Sequence, residues 1–241
     1  MKKYLFLAIG MLLFSAGTAG AAEENSTQFL EAVRNFRSSG TYSKLNGQIQ
    51  HRRRGQAVEK TPLYFGIIIQ NDRFTGQLLI DNRNSLLISQ SRKSGTSAVT
   101  LLAGSAGILD RVGLRATDLT MGFLHGTLVK ELPRESLSMA ACRVLLLESK
   151  DKKEWVQIWI SADHYFPLKA QFTRKGEKAP YRTLECNGFT KRNDLYYARY
   201  ITVEGPGWRT RVAFDPDTAE LGFFDPQKPV NIMRELPAAK K

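Results

Sequence analysis

Ten short runs rich in β-branched and aromatic residues, each bounded by turn residues, constrain the fold of this chain more than any other feature. Dipeptides such as Asn71-Asp72, Lys175-Gly176 and Asn193-Asp194 separate neighbouring runs, as turns separate the strands of hairpins. The pattern predicts an antiparallel meander. The predicted strands are residues 45–52, 63–71, 75–81, 85–90, 143–149, 154–161, 166–174, 181–190, 195–204 and 208–214.

Several of these predicted strands are apolar on both faces. In residues 155–160, tryptophans occupy one set of alternate positions and aliphatic residues occupy the other. An antiparallel sheet with one face in water shows alternating apolar and polar residues instead. Either both faces are covered, or one face lines an apolar cavity, and the pattern leaves these alternatives open. Because few helices are predicted, a sheet that curls around a hollow is the economical arrangement.

Helical patterns are confined to two segments. Asn25, Ser26 or Thr27 can cap a helix in which Phe29, Leu30, Val33 and Phe36 recur at helical spacing, until residues 38–40 end it. Residues 99–126 predict one or two further short helices. No repeat, linker or charge block divides the chain, so residues 22–241 are predicted to form a single domain.

The first 21 residues are typical of a cleavable signal peptide. Lys2 and Lys3 precede an apolar run over residues 4–14, and small residues follow up to Ala19-Gly20-Ala21. An uncleaved anchor is the alternative, but this run is shorter than the roughly 20 apolar residues that span a bilayer. We therefore expect cleavage after Ala21 and a periplasmic location.

The chain is strongly basic, with 35 Lys and Arg against 23 Asp and Glu and a formal charge of +12. This excess favours anionic partners. Arg52, Arg53 and Arg54 follow His51 at a predicted strand end, where they can contact lipid phosphates or an acidic partner. A solvated hairpin tip is the alternative explanation. The sequence contains no nucleic-acid-binding module, so no nucleic acid is expected as a partner.

The chain contains two cysteines, Cys142 and Cys186. Export to an oxidising compartment favours a disulfide between them. Strands in sequential order would separate them by about 14 Å, beyond the roughly 7 Å limit for bridged Cα atoms. The predicted disulfide therefore requires a curled sheet, or a loop position for Cys142.

The segment over residues 155–189 carries a family resemblance. It contains a strand ending in a polar turn, then Phe166-Pro167-Leu168-Lys169-Ala170, an aromatic strand with Phe172, a Lys175-Gly176 turn and a further strand. This succession resembles the C-terminal half of the outer-membrane lipoprotein-sorting proteins related to LolA and LolB. The likeness extends to the N-terminal helix, residues 118–124 and the terminal strand. Because no Cys follows the signal peptide, the chain differs from the LolB type, which is itself a lipoprotein.

The resemblance implies a mainly β fold: a strongly curved antiparallel sheet, or half-open barrel, capped by short helices. Its interior would accept the acyl chains of lipoproteins or another lipid. A membrane-bound donor or acceptor protein and transient contact with the membrane surface would follow. Basic residues at the mouth would be Arg52, Arg53, Arg54 and Lys169. The expected cavity lining is Phe65, Ile67, Trp155, Trp159 and Phe172.

Catalytic patterns are weak in this sequence. Residues 103–107 resemble a nucleophile elbow, but the alternating strand and helix order that such an elbow requires is missing. The three histidines lack metal-ligand spacing, and no phosphate-binding or dinucleotide fingerprint occurs. We expect no catalysis, no metal and no cofactor. A regulatory sensor of envelope stress, with the same half-barrel and a protein partner, is the alternative to a lipid carrier.

Overall fold

The computed structural model describes residues 25–35, 40–225 and 227–236. The predicted signal peptide, its cleavage site after Ala21, and Phe36 lie outside the described residues. Within the described part of the chain, no helix combines the length and apolar character needed to cross a membrane.

One antiparallel sheet of thirteen strands dominates the structure. Its strands are hydrogen-bonded in the order β5-β4-β3-β2-β1-β12-β11-β10-β9-β8-β7-β6, and β13 pairs with the start of β1. The strands are β1 (Thr41–Arg53), β2 (Glu59–Gln70), β3 (Arg73–Ile80), β4 (Asn84–Ser91), β5 (Ser97–Ala103), β6 (Thr127–Leu137), β7 (Ala140–Glu148), β8 (Glu154–Ser161), β9 (Pro167–Arg174), β10 (Arg182–Arg192), β11 (Leu195–Gly205), β12 (Trp208–Phe214) and β13 (Glu220–Phe223).

Short helices lie at two places in the described chain. Helix α1 (Ser26–Asn35) precedes the sheet, and the side chain of Asn25 caps it by accepting the backbone N–H of Gln28 at 2.9 Å. Between β5 and β6 come α2 (Ile108–Arg111), α3 (Ala116–Thr120) and a 3₁₀ turn (Gly122–His125). The predicted N-terminal helix is therefore confirmed over the described residues.

All ten predicted strands are present, and the structure adds β5, β6 and β13. The prediction that residues 99–126 are helical is wrong at its start, because Ser97–Ala103 forms an edge strand. Buried and exposed side chains do not alternate along this strand, since Val99, Leu101 and Leu102 are all exposed. On the opposite edge, Pro133 interrupts the β6 register, as proline does at bulges of edge strands.

A single apolar cluster fills the concave face of the sheet and draws side chains from both ends of the strand order. Such a cluster requires the sheet to bend around it. The terminal strands β5 and β6 remain its two edges, so the curved sheet is open. The predicted fold, a curved antiparallel sheet with few short helices, is confirmed. We call this the concave cluster; its members include Leu45, Ile49, Phe65, Leu78, Ile88, Leu145, Ile158, Phe172, Leu184, Val203 and Val212.

The opposite, outer face is also partly covered. The C-terminal tail (residues 227–236) crosses β2 and β3, where the Tyr64 hydroxyl donates to the carbonyl oxygen of Ile232 at 2.7 Å. Gln77 exchanges two hydrogen bonds with the backbone of Arg234, at 2.7 and 2.9 Å. A side chain on Gly66 would meet the Ile232 carbonyl at 2.4 Å, so glycine permits this approach. Strands that are apolar on both faces therefore reflect cover on both sides here.

The predicted disulfide is wrong, because Cys142 and Cys186 are not bonded to each other. Cys142 lies on β7 and Cys186 on β10, with β8 and β9 between them. They also occupy different faces, since Cys186 belongs to the concave cluster and Cys142 packs with Val144 and Trp159 on the outer face. Curling of the sheet cannot bring side chains on opposite faces together.

We expect thiol titration of the denatured, non-reduced protein to give two reactive thiols. In the native protein the reaction should be slow, because both cysteines are buried and burial raises the pKa of Cys142. Cys142→Ser should leave the mobility of the non-reduced protein unchanged. A titration that finds no thiol until a reductant is added would contradict the structure.

Candidate functional site

The concave face is covered by residues 104–126, which we call the helical cover. The cover has little regular structure, but its large apolar side chains all enter the concave cluster. At its centre the Phe123 ring meets the Phe172 ring edge-on, with centroids 5.8 Å apart. The cover therefore shields the apolar concave face of the strands from solvent. Its buried apolar residues are Ile108, Leu109, Val112, Leu114, Leu119, Met121, Phe123 and Leu124.

A buried ion pair joins the helical cover to the sheet. Arg182, the first residue of β10, donates to both carboxylate oxygens of Asp118 in α3, at 2.7 and 2.5 Å. The two side chains are only 4% and 0% exposed. Asp118 also accepts the backbone N–H of Arg115, which caps α3, and Arg182 donates to the carbonyl oxygen of Gly113 at 3.0 Å. One carboxylate thus fixes both the start of α3 and its position on β10.

A second ion pair lies beside the first. Arg115 donates to both oxygens of Glu154 on β8, each at 3.1 Å, and to the Tyr181 hydroxyl at 2.6 Å. Tyr181 in turn donates a short hydrogen bond to Glu154. Burial by itself raises the pKa of Glu154, but the hydrogen bonds from Arg115 and Tyr181 outweigh burial and lower it. Burial and the bond to Glu154 raise the pKa of Tyr181.

Helix α1 is fixed at the other side of the concave face. The Arg143 guanidinium on β7 binds both carboxylate oxygens of Glu131 on β6, at 2.8 and 2.6 Å. The same guanidinium lies 4.2 Å from the centre of the Phe29 ring in α1. Arg34 of α1 donates to the carbonyl oxygen of Leu124 at 2.9 Å, which connects α1 to the helical cover.

The structure brings together only three of the five residues predicted to line the cavity. Phe65 and Phe172 are buried in the concave cluster, and Ile67 packs against it. Trp155 and Trp159 lie on the outer face of β8, because the neighbouring Val156 and Ile158 take the concave positions. The tryptophans and the other three residues therefore do not share one surface.

Trp159 has its own cluster on the outer face. It packs with Cys142 and Val144, its indole N–H donates to Glu135 at 2.8 Å, and the Lys169 ammonium lies 4.9 Å from its ring. These contacts satisfy both the apolar and the polar parts of the indole. Trp159 is therefore packed against the outer face of the sheet and does not line the concave face.

The predicted basic residues fall into two groups. Arg52, Arg53 and Arg54 are exposed where β1 ends, and a pocket there includes Trp208. Lys169 lies on β9, four strand steps from β1, or roughly 19 Å at the usual spacing. The structure thus does not place Lys169 with the three arginines. Their roles at a mouth or partner surface stay predictions.

The sequence did not predict the residues that anchor the helical cover. Asp118 and Arg182 are 64 positions apart, and Arg115 and Glu154 are 39 apart. No periodic pattern connects partners at such separations. The one local signal is the position of Asp118, three residues after Arg115, where an acidic side chain caps a helix.

Comparison with known proteins establishes the fold. No protein family model and no curated protein matches the chain by sequence. Among solved structures, a DUF1329 family protein from Desulfovibrio piger is similar, with a TM-score of 0.65 and 14% identity over 81% of this chain and 90% of that one. A domain from Vibrio parahaemolyticus named for outer membrane lipoprotein sorting gives a TM-score of 0.59 and 16% identity, over 83% and 93%.

A LolA superfamily protein from Nitrosomonas europaea is also similar, with a TM-score of 0.54 and 15% identity over 83% of this chain and 93% of that one. The fold is thus LolA-like, as the resemblance in residues 155–189 implies. At these identities the likeness shows the fold alone.

We predict that Asp118→Asn destabilises the protein by about 3–5 kcal/mol, because it leaves the Arg182 charge buried without a counter-charge. Urea unfolding measures the change. The control is Glu177→Gln, which removes an exposed ion pair with Arg174 and should leave the midpoint nearly unchanged. Equal effects of the two substitutions would show that the buried pair is not a special anchor.

A second prediction concerns acid. The pKa values of Glu154 and Glu131 are below their ordinary value of 4.5 in the folded protein. The stabilisation of the folded protein by these two ionised carboxylates is complete above pH 4.5. It is lost as the pH falls through the lowered pKa values of the folded state. The melting temperature should therefore drop as the pH falls below 4.5. Glu154→Gln should be less stable at neutral pH and lose less on acidification; an unchanged slope would refute the assignment.

Proposed function

We propose that this protein is an exported, non-catalytic carrier that binds the acyl chains of lipoproteins, or of another lipid, on its concave face. The observation that carries the proposal is the concave cluster, a continuous apolar surface in a LolA-like fold. Its cover consists of short helices rather than a second sheet. Apolar surface of this kind binds alkyl chains without any reactive group.

Acyl binding requires the helical cover to move, because its own side chains occupy the concave face. Phe123 and Leu119 would leave the strands, and acyl methylenes would take their place. Apolar contacts would be exchanged for similar ones, so this exchange alone costs little. The ion pairs of Arg182 and Arg115 join the cover to the sheet, and they determine how easily it opens.

The wider setting of the proposal follows from the sequence. A signal peptide over residues 1–21, cleaved after Ala21, would deliver residues 22–241 to the periplasm as a single domain. A carrier there would receive its cargo from a membrane-bound donor and pass it to a membrane-bound acceptor. The excess of basic residues suits transient contact with an anionic membrane surface.

Two adjacent isoleucines on β2 provide a matched test. Ile67 and Ile68 are both half-buried, but Ile67 packs against the concave cluster and Ile68 takes the alternate, outer position. We expect Ile67→Glu to abolish binding of an acylated lipopeptide and Ile68→Glu to retain it. Fluorescence titration measures binding, and thermal melting confirms that each variant folds.

The length of the acyl chain gives a second readout in the same titration. Each added methylene should improve affinity about fourfold, from roughly 0.8 kcal/mol of transfer free energy, until the surface is full. Added salt should have little effect on this part of binding. The same peptide without acyl chains is the control. Equal binding of the two peptides, or equal loss in both isoleucine variants, would overturn the proposal.

A further inference from the structure

A pocket of about 720 Å³ lies on the outer face of the sheet, where β2, β1, β12 and β11 run side by side. Strand register explains its composition. Gln50 pairs with Lys60 on one side and with Arg211 on the other, so these three side chains form a row across three strands. The next row contains Gln48, Ala213 and Tyr200. We call this cavity the outer-face pocket.

Two arginines in the outer-face pocket share one tyrosine. The guanidinium carbon of Arg211 lies 3.8 Å from the centre of the Tyr200 ring, and that of Arg199 lies 5.0 Å from the same centre. The aromatic ring thus holds two positive charges near each other. Like charges repel, so an anion bound in the pocket would stabilise the two arginines.

Neither arginine has a carboxylate partner among the described residues. The Nε atoms of Arg199 and Arg211 are buried, and their N–H groups donate to no hydrogen-bond acceptor in the structure. The three other arginines that fix helices to the sheet, at 115, 143 and 182, each bind a carboxylate through two hydrogen bonds. The outer-face pocket therefore contains two half-buried arginines that lack the paired carboxylate of these three.

The acidic residue of the pocket forms no ion pair with either arginine among the described contacts. Asp215 is the only carboxylate among the lining residues. Its two oxygens accept the backbone N–H of Asp217 at 3.0 Å and the hydroxyl of Thr218 at 3.1 Å, within its own turn. Lys60 adds a third cation at the rim. The lining therefore contains three cationic side chains against the single carboxylate of Asp215, and the pocket carries an excess of positive charge.

We propose that the outer-face pocket binds a phosphate-bearing ligand, with Arg199 and Arg211 on the phosphate oxygens. Planar guanidinium groups match phosphate through paired hydrogen bonds, and one phosphate group offers enough oxygens to bind two arginines. The pocket is much larger than one phosphate ion. The amides of Gln48 and Gln50 can bind hydroxyl groups on the rest of the molecule. A sugar phosphate and a phospholipid headgroup share this chemistry.

The site is separate from the proposed acyl-binding surface. Gln48 and Gln50 face outward from β1, while Ile49 between them belongs to the concave cluster. The two proposals therefore concern different surfaces, and a failure of acyl binding would not decide whether the outer-face pocket binds phosphate.

The test uses the whole protein and two probes: a soluble sugar phosphate, by calorimetry, and vesicles of phosphatidylcholine with or without phosphatidylglycerol, by sedimentation. We expect binding of at least one phosphate probe, weakened by salt. Arg211→Gln should weaken it about tenfold or more, because it removes charge-assisted hydrogen bonds. Arg211→Lys keeps the charge but loses the paired geometry, and should weaken binding by a smaller factor.

Arg209 provides the matched control. It lies two residues from Arg211 on the same strand and face, is exposed, and approaches Glu204 at 3.8 Å. Arg209→Gln changes the net charge equally, and should leave affinity within about twofold for a localised site. Binding of sugar phosphate alone identifies a soluble ligand, and binding of anionic vesicles alone identifies a headgroup. No binding to either probe, or equal losses in the Arg209 and Arg211 variants, overturns the proposal.

Discussion

The ion pair between Asp118 and Arg182 is the contact on which the arrangement of the concave face depends. A curved sheet with an apolar inner surface must cover that surface, and here the cover is a segment with barely two turns of α-helix. Such a segment has little intrinsic stability. Its place is set by apolar packing and by a carboxylate that binds both its own backbone and β10. Because a buried ion pair contributes more to position than to net stability, its main effect is to define where the cover lies.

The same constraint explains why several strands are apolar on both faces. The concave side belongs to one continuous cluster, while the outer side is divided among local covers. Trp159 packs with Cys142 on β7 and β8, and Tyr64 lies under the C-terminal tail. The sequence pattern correctly indicated that both faces avoid water. It could not show which apolar set faces inward, because the strands concerned offer apolar residues to both sides.

Much of the fold was predictable because hydrophobic periodicity and turn residues are local signals. The ten strands and helix α1 follow from them. The edge strands β5 and β6 were not predicted, because an edge strand need not show the alternating apolar and polar residues of a half-buried strand. The exposed Val99 and the proline at position 133 are examples. The ion pairs of the candidate site join residues far apart in the chain, so no local pattern indicates them. The disulfide prediction failed because strand order alone does not show which face of the sheet each cysteine side chain occupies.

Strand alternation also places two different chemistries on the same four strands. On β1 and β12, Ile49 and Val212 enter the concave cluster, while Gln50 and Arg211 face the outer-face pocket. The backbone between the two surfaces is one hydrogen-bonded layer, so a change in bending would be felt on both sides. Movement of the helical cover is the event that would alter this bending. The cover is anchored on β12 as well as on β8 and β10, because the Thr210 hydroxyl donates to the carbonyl oxygen of Val112. Arg211 is the next residue of β12, so movement of the cover acts on a strand that lines the outer-face pocket.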